Sequence, residues 1–292
     1  MAGAQSQHRL GIALVVAGAV AFSTAPFFTR LLPYDSWTIL FWRGVFGGGL
    51  IAVIMALLQG RSGLRDLFGM GASGWFVALC STLGMIAFIP ALQLTSVSNV
   101  AIIIATGPFL AAALAWIWLR EVPRPRTMLA SAVALCGVAI IVGNARMGSD
   151  LLGVALACFM ALAIAAMTVM VRRHKETSMV AAAAVSNFLT SVVSIPFAHG
   201  LTSVPGTDLV ILAMFGFFQV ALGLTLFFLG SRLLPSSQAA LISTLETPLM
   251  PFWIWLAFAE VPALRVLLGG ALVMGAVIAD IIGDNSAQKP ST

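Results

Sequence analysis

Residues 98–123 read SNVAIIIATGPFLAAALAWIWLREVP, and residues 237–262 read SQAALISTLETPLMPFWIWLAFAEVP. Each is an apolar run of membrane-span length. Each opens on small and polar residues (Ser98-Asn99-Val100-Ala101, Ser237-Gln238-Ala239-Ala240) and carries a proline near its middle, Pro108 or Pro248. Each also ends on the same tripeptide, Glu121-Val122-Pro123 or Glu260-Val261-Pro262. The likeness runs on, since Cys136-Gly137-Val138-Ala139-Ile140 answers Met274-Gly275-Ala276-Val277-Ile278, and one single-residue gap aligns the copies. The chain is an internal duplication.

Outward from this pair the whole sequence is apolar. Of 292 residues 60% are hydrophobic and 9% charged, where soluble domains carry about 25% charged residues. The mean hydropathy is +1.05. A helix rising 1.5 Å per residue needs about 20 apolar residues to cross about 30 Å of hydrocarbon. Segments 10–32, 36–59, 73–94, 97–119, 127–144, 151–171, 178–199, 209–231, 236–258 and 263–282 meet this requirement and predict ten transmembrane helices. Membrane barrels show short alternating strands, which these uniform runs lack. His8-Arg9 before an apolar stretch containing Ala19-Val20-Ala21 resembles a signal peptide, but the stretch continues to Leu32 and reads as a retained first span.

Alternating the spans collects Arg9, Arg61, Arg65, Arg120, Arg124, Arg126, Arg172, Arg173, Lys175, Arg232 and Lys289 on the side of the N-terminus. Arg30, Arg146 and Arg265 fall on the other. The positive-inside rule then predicts both termini in the cytoplasm of a bacterial-type inner membrane. Scattered in short loops, these residues make no nucleic-acid face despite a net charge of +5. Cys80, Cys136 and Cys158 show neither CxxC spacing nor a nearby His, so no metal site or disulfide is expected. The chain has no GxxxxGKS motif, and neither a cofactor nor an ATPase subunit is called for.

Five spans per copy is an odd number, so the second copy enters the membrane inverted. The expected fold is an all-α integral membrane protein: two inverted five-helix repeats around a central cavity. Residues 1–145 form the first repeat, 146–283 the second, and 284–292 a disordered tail. Inverted repeats bind solutes near the midplane and expose them alternately to either side.

With Arg43 inside Phe41-Trp42-Arg43-Gly44, small-residue-rich fourth and ninth spans carrying Pro108 and Pro248, and the Glu121 and Glu260 turns, the chain resembles the drug/metabolite transporter superfamily. It looks like the ten-helix branch with two EamA-type repeats, and the likeness covers nearly the whole chain. Within that branch it is similar to bacterial amino-acid and metabolite exporters, the YddG aromatic amino-acid exporter group among them. The resemblance implies export or facilitation of small organic solutes, preferably amino acids with aromatic or other hydrophobic side chains. It also implies a cavity lined by eight spans with the fifth and tenth at the periphery. A small-molecule substrate and membrane lipid are the expected partners, and a monomer or weak homodimer the expected state.

Arg43 and Glu246 are the charged residues well inside the spans. Burying a charge at a helix centre costs roughly 2.5–3.5 kcal/mol on insertion scales, so each must face water or a partner. Arg43 reads either as a fork for a substrate carboxylate or as a clamp on its own protein. Glu246 precedes Thr247-Pro248, where proline frees a carbonyl; it reads as a proton or ammonium site, or as a buried carboxyl paired with Arg43. Thr24, Asn99, Asn187, Gln219 and Ser243 lie at similar depth as candidate substrate ligands, their alternative being interhelical hydrogen bonding. Asn187 occupies the seventh span roughly where Arg43 occupies the second. Trp42 and Phe88 are candidates for an apolar pocket. Pro26, Pro108 and Pro248 are candidate hinges, the alternative being static kinks.

Three competing readings are weaker. Efflux of lipophilic cations, as in small multidrug relatives, calls for an acid in the first span, and 10–32 has none. A membrane transferase needs His or paired carboxylates at an interface, and the turns offer Glu121, Asp150, Glu176 and Glu260 singly. A channel needs a filter ring or a carbonyl-lined loop.

Overall fold

The computed structural model describes residues 2–59, 67, 69–94, 100, 103–142, 151–174 and 178–287. Asn99, the 145/146 boundary and residues 288–292 lie outside the described residues. The first half holds α1 (Ala2–Ser23), α2 (Ala25–Leu31), α3 (Ser36–Gln59), α4 (Gly71–Leu94), α5 (Gly107–Leu119) and α6 (Pro125–Val142). The second holds α7 (Leu151–Arg173), α8 (Met179–Ser194), α9 (Gly206–Phe215), a π-helical stretch (Gly216–Leu224), α10 (Thr225–Ser231), α11 (Ser236–Ser243), α12 (Glu246–Phe258) and α13 (Leu264–Ala287). No strand occurs among the described residues.

Among the described residues, eight helical segments are long and apolar enough to cross a bilayer, while Gly107–Leu119 and Pro125–Ile141 are apolar but shorter. The fourth expected span is broken at Thr106, with Gly107–Leu119 following the break; its residues 97–99, 101 and 102 lie outside the described residues. At the other end of the chain, the backbone of residues 284–287 continues α13, so helix persists past the expected start of the tail.

Helical breaks follow one local device. Proline supplies no amide to the carbonyl four residues back, and a nearby threonine hydroxyl bonds to the preceding turn instead. Thr24, Thr106 and Thr244 donate to the Ala21, Ile103 and Leu241 carbonyls, each at 2.6 Å. Pro26 and Pro108 follow two residues later, and Pro248 four. Pro90, by contrast, sits inside an uninterrupted α4. The repeated Glu-Val-Pro turns also share a conformation. Arg120 after α5 and Ala259 after α12 are the non-glycine residues of positive φ among those described, both at 55°. Such left-handed caps stop a helix, and the proline three residues later bars its return.

The principal packing pairs cross between repeats: α6 with α13, α3 with α8, α5 with α11, α4 with α7, and α1 with the π stretch and α10. Exchanging the two halves maps this set onto itself, as a two-fold relation between inverted repeats requires. The close approach of α6 and α13 depends on facing glycines, since a Cβ on Gly137 would lie 2.7 Å from the Gly269 carbonyl oxygen. Asp280 of α13, buried, accepts hydrogen bonds from Thr127 of α6 at 2.9 Å and Gln238 of α11 at 3.1 Å.

Candidate functional site

The breaks in the fourth and ninth segments change what each part of the segment packs against. On the face that carries the N-terminus, the N face, α5 packs on α11. Past the breaks the partners differ: Val100, Ile103 and Ile104 join Ala87, Ala91, Ala157 and Met160 of α4 and α7, whereas α12 lies against α1, α2 and α13. Described residues of the two broken segments therefore meet at the N face and diverge toward the opposite face.

Glu246 stands at the break of the ninth segment, in the first turn of α12. Pro248 packs toward α13, where a Cβ on Gly270 would lie 3.0 Å from it. At 100° per residue, a position two residues away lies on the far side of the helix and one seven away on the same side. Glu246 thus turns away from α13 and shares its stripe with Trp253, whose indole N–H donates to the Ser23 hydroxyl of α1 at 2.8 Å. Among the described residues the Glu246 carboxylate has no hydrogen-bond or ion-pair partner. A carboxylate is favoured at a helix N-terminus, where the backbone dipole is positive.

Arg43 is buried, and Glu246 is not its partner. Its guanidinium donates to the Gln219 side-chain oxygen and, at 3.4 Å, to the Met85 sulfur, while lying 5.6 Å from the centre of the Phe215 ring. Its Nε has no partner among the described residues. Gln219 sits within the π-helical stretch, a rare element that re-aims side chains and recurs at functional sites. Trp42 stacks on Phe46 and belongs to an aromatic cluster with Phe28, Ile39, Leu212 and Phe215.

The other candidates disperse. Asn187 is buried and donates to Ala183 of its own helix at 2.9 Å, against the glycine face of α3. Phe88 packs with Val100 and Met160. Thr24 marks the α1–α2 break, and Ser243 bonds its own helix at Ala239, 2.9 Å away, one turn before Glu246. The structure thus joins Arg43 to Gln219, sets Glu246 and Ser243 at one break and Thr24 at another, and leaves Asn187 and Phe88 in separate contacts.

Sequence reasoning missed Met85 and Phe215 around Arg43, the π stretch, and a latch on the opposite face. There Arg30 of α2 grips Glu260 after α12 with both guanidinium nitrogens, one at 2.7 Å, and lies 5.0 Å from the centre of the Phe258 ring. The Arg30 hydrogen bond holds the Glu260 carboxyl below its usual range. Nearby, Tyr34 donates to Asp208 at 2.5 Å, which raises the phenol above its usual value. The sequence signal for the latch was a cation at the end of the first span and an acid in the turn after the ninth.

Apolar helices of membrane-span length, two of them broken and meeting on one face, with a carboxylate at one break that has no partner among the described residues, define a polytopic membrane protein. The chain belongs to the EamA-like transporter family, whose two matches cover residues 9–143 and 151–279. It is accordingly a multi-pass membrane transporter of small solutes. A solved structure, described as "Crystal structure of protein", is similar in fold at 16% identity and a TM-score of 0.80, over 96% of this chain and 99% of that one. A comparison with curated protein sequences finds no match.

Proposed function

We propose that the chain exports or facilitates amino acids, preferentially those with aromatic or other hydrophobic side chains, by alternating access across a bacterial inner membrane with both termini cytoplasmic. The observation that carries this reading is the unpartnered Glu246 carboxylate at the helix break, on the α12 stripe that includes Trp253. A carboxylate there receives the ammonium of a zwitterion or a proton, and neighbouring aromatic rings accept an apolar side chain. Arg43, through the N–H it leaves unused, is the group offered to the carboxylate end. In this reading the diverging parts of the fourth and ninth segments open to the periplasm, and α5–α11 packing closes the cytoplasmic side.

The test is uptake of labelled phenylalanine, tryptophan, threonine and methionine by proteoliposomes, with and without a pH gradient, in wild type and Glu246→Gln. Saturable uptake driven by the gradient in wild type but not in the variant makes Glu246 the coupling group. Equal equilibration in both makes transport facilitative and Glu246 structural. Absence of uptake for every amino acid rejects the substrate class and points to lipophilic cations, for which Glu246 would be the counter-charge.

A further inference from the structure

A cavity of about 260 Å³ lies at the N face. Ala112 and Ala115 of α5 and the turn residues Val122 and Pro123 form its apolar side. Its polar side is Arg124, Arg172, Glu121 and the start of α11, Pro235-Ser236-Ser237. The first helical bond of α11 runs from the Ala239 amide to the Pro235 carbonyl, and no side chain caps the helix. The Ser236 and Ser237 amides therefore precede the helical ladder, with the positive end of the helix dipole behind them.

An independent observation sits at the same place. Ser236 is fully buried, and its hydroxyl has no hydrogen-bond partner among the described residues. A buried hydroxyl left unpaired is costly, so one lining a polar cavity is completed by something that enters it. Arg172 adds a guanidinium fixed in place, because one of its nitrogens donates to the Arg232 carbonyl at 3.0 Å. Among the described residues the lining holds Arg124, Arg172 and one acid, Glu121.

We infer that this cavity binds an oxyanion, a carboxylate or phosphate group, between the α11 N-terminus, the Ser236 hydroxyl and the Arg172 guanidinium. The volume suits a small solute or a lipid headgroup, and the shared chemistry is the oxyanion itself. The inference goes beyond the transport reading and does not depend on which solute is carried. Because the cavity walls include both α5 and α11, an occupant braces the contact that closes the N face.

The test uses the full chain in dodecyl maltoside micelles, with inorganic phosphate as the probe and ³¹P line broadening as the readout. Wild type shows saturable broadening. Affinity falls about fivefold in Arg172→Gln and about twofold in Ser236→Ala, and rises in Glu121→Gln, which removes the one opposing charge. A lost structural role would not produce that rise, and elution volume and thermal unfolding check that each variant is folded. Native mass spectrometry with phosphatidylglycerol and phosphatidylcholine separates the sources. Retention of phosphatidylglycerol that depends on Arg172, without phosphate broadening, assigns the site to a lipid headgroup. Phosphate broadening indifferent to all three substitutions, or neither signal, overturns the proposal.

Discussion

The α1–α2 segment and α7 stand in equivalent places in the two repeats, yet only the first is broken. Ser23-Thr24-Ala25-Pro26 interrupts it, whereas 151–173 contains no proline and runs straight. The same division holds one segment on: α3 carries Arg43, which reaches across to Gln219, while α8 carries Asn187, which bonds its own helix. Of the long segments, Leu151–Arg173 and Met179–Phe197 are the most enclosed and Ser236–Phe258 the least. Duplication has therefore produced one frame with two duties. In the reading proposed above, the opening segments of the second repeat are the scaffold, and the first, fourth and ninth segments, which carry the breaks, are the ones that bend.

The sharpest way to break this comparison is to remove the two equivalent polar groups in turn. Arg43→Ala leaves Gln219 without its charged partner, and a hydrogen bond to a charged group is worth about 1.5–3 kcal/mol, so uptake by proteoliposomes falls tenfold or more. Arg43→Lys does not restore it, because an ammonium lacks the planar fork. Asn187→Ala keeps most of the activity. Equal losses at both positions would end the claim that the repeats differ in duty.

The parts of the repeats that agree are tested at Gly137 and Gly269, which face one another where α6 meets α13. Valine at either position overpacks the same contact and lowers stability by about 1–3 kcal/mol, read as a lower thermal unfolding temperature. Closely matched losses are expected, and a loss confined to one glycine would contradict the two-fold relation.

A smaller effect is expected at the breaks. Thr24→Val with Pro26→Ala restores the helical ladder in the first segment, slowing transport several-fold while leaving substrate binding in equilibrium assays unchanged. Thr168→Val in α7 removes a hydroxyl that only bonds its own helix at Ile164, at 2.8 Å. Its cost stays below the average of about 0.6 kcal/mol measured for hydrogen bonds between helices in membranes, with no change in rate.

The smallest effect belongs to the Arg30–Glu260 latch, which is exposed to solvent. Since Arg30 lowers the folded-state pKa of Glu260, the pair is complete above the ordinary glutamate value of about 4.3 and is lost as pH falls through the lower folded value. Wild type therefore shows a slight loss of thermal stability below about pH 4 that Glu260→Gln does not show. The same acid step in both proteins would mean that another carboxylate is responsible.

How much was legible varies with the range of the interaction. The duplication and the breaks at Thr106 and Thr244 could be read from 98–123 and 237–262, because proline and threonine act within one turn, and the parity that inverts the second copy followed from the apolar spans along the whole chain. The meeting of Arg43 with Gln219 was not legible, since 176 residues separate them. Nor were the Ser23–Trp253 and Arg30–Glu260 contacts, each spanning 230 residues. Gly216-Phe217-Phe218-Gln219 carries no local mark of a π helix, which forms where packing against α1 and α3 absorbs the wider turn.

By itself the sequence determined that this protein lives in a bilayer as helices and that it is built twice in opposite senses. Hydrocarbon offers no hydrogen bonds, so apolar length and backbone self-sufficiency leave a chain of this composition no other form. Only the tertiary structure decided which polar side chains find partners and which, like those of Glu246 and Ser236, stand without one among the described residues. That choice depends on how helices far apart in the chain pack, and in a membrane such packing rests on close-fitting shape that local sequence does not encode.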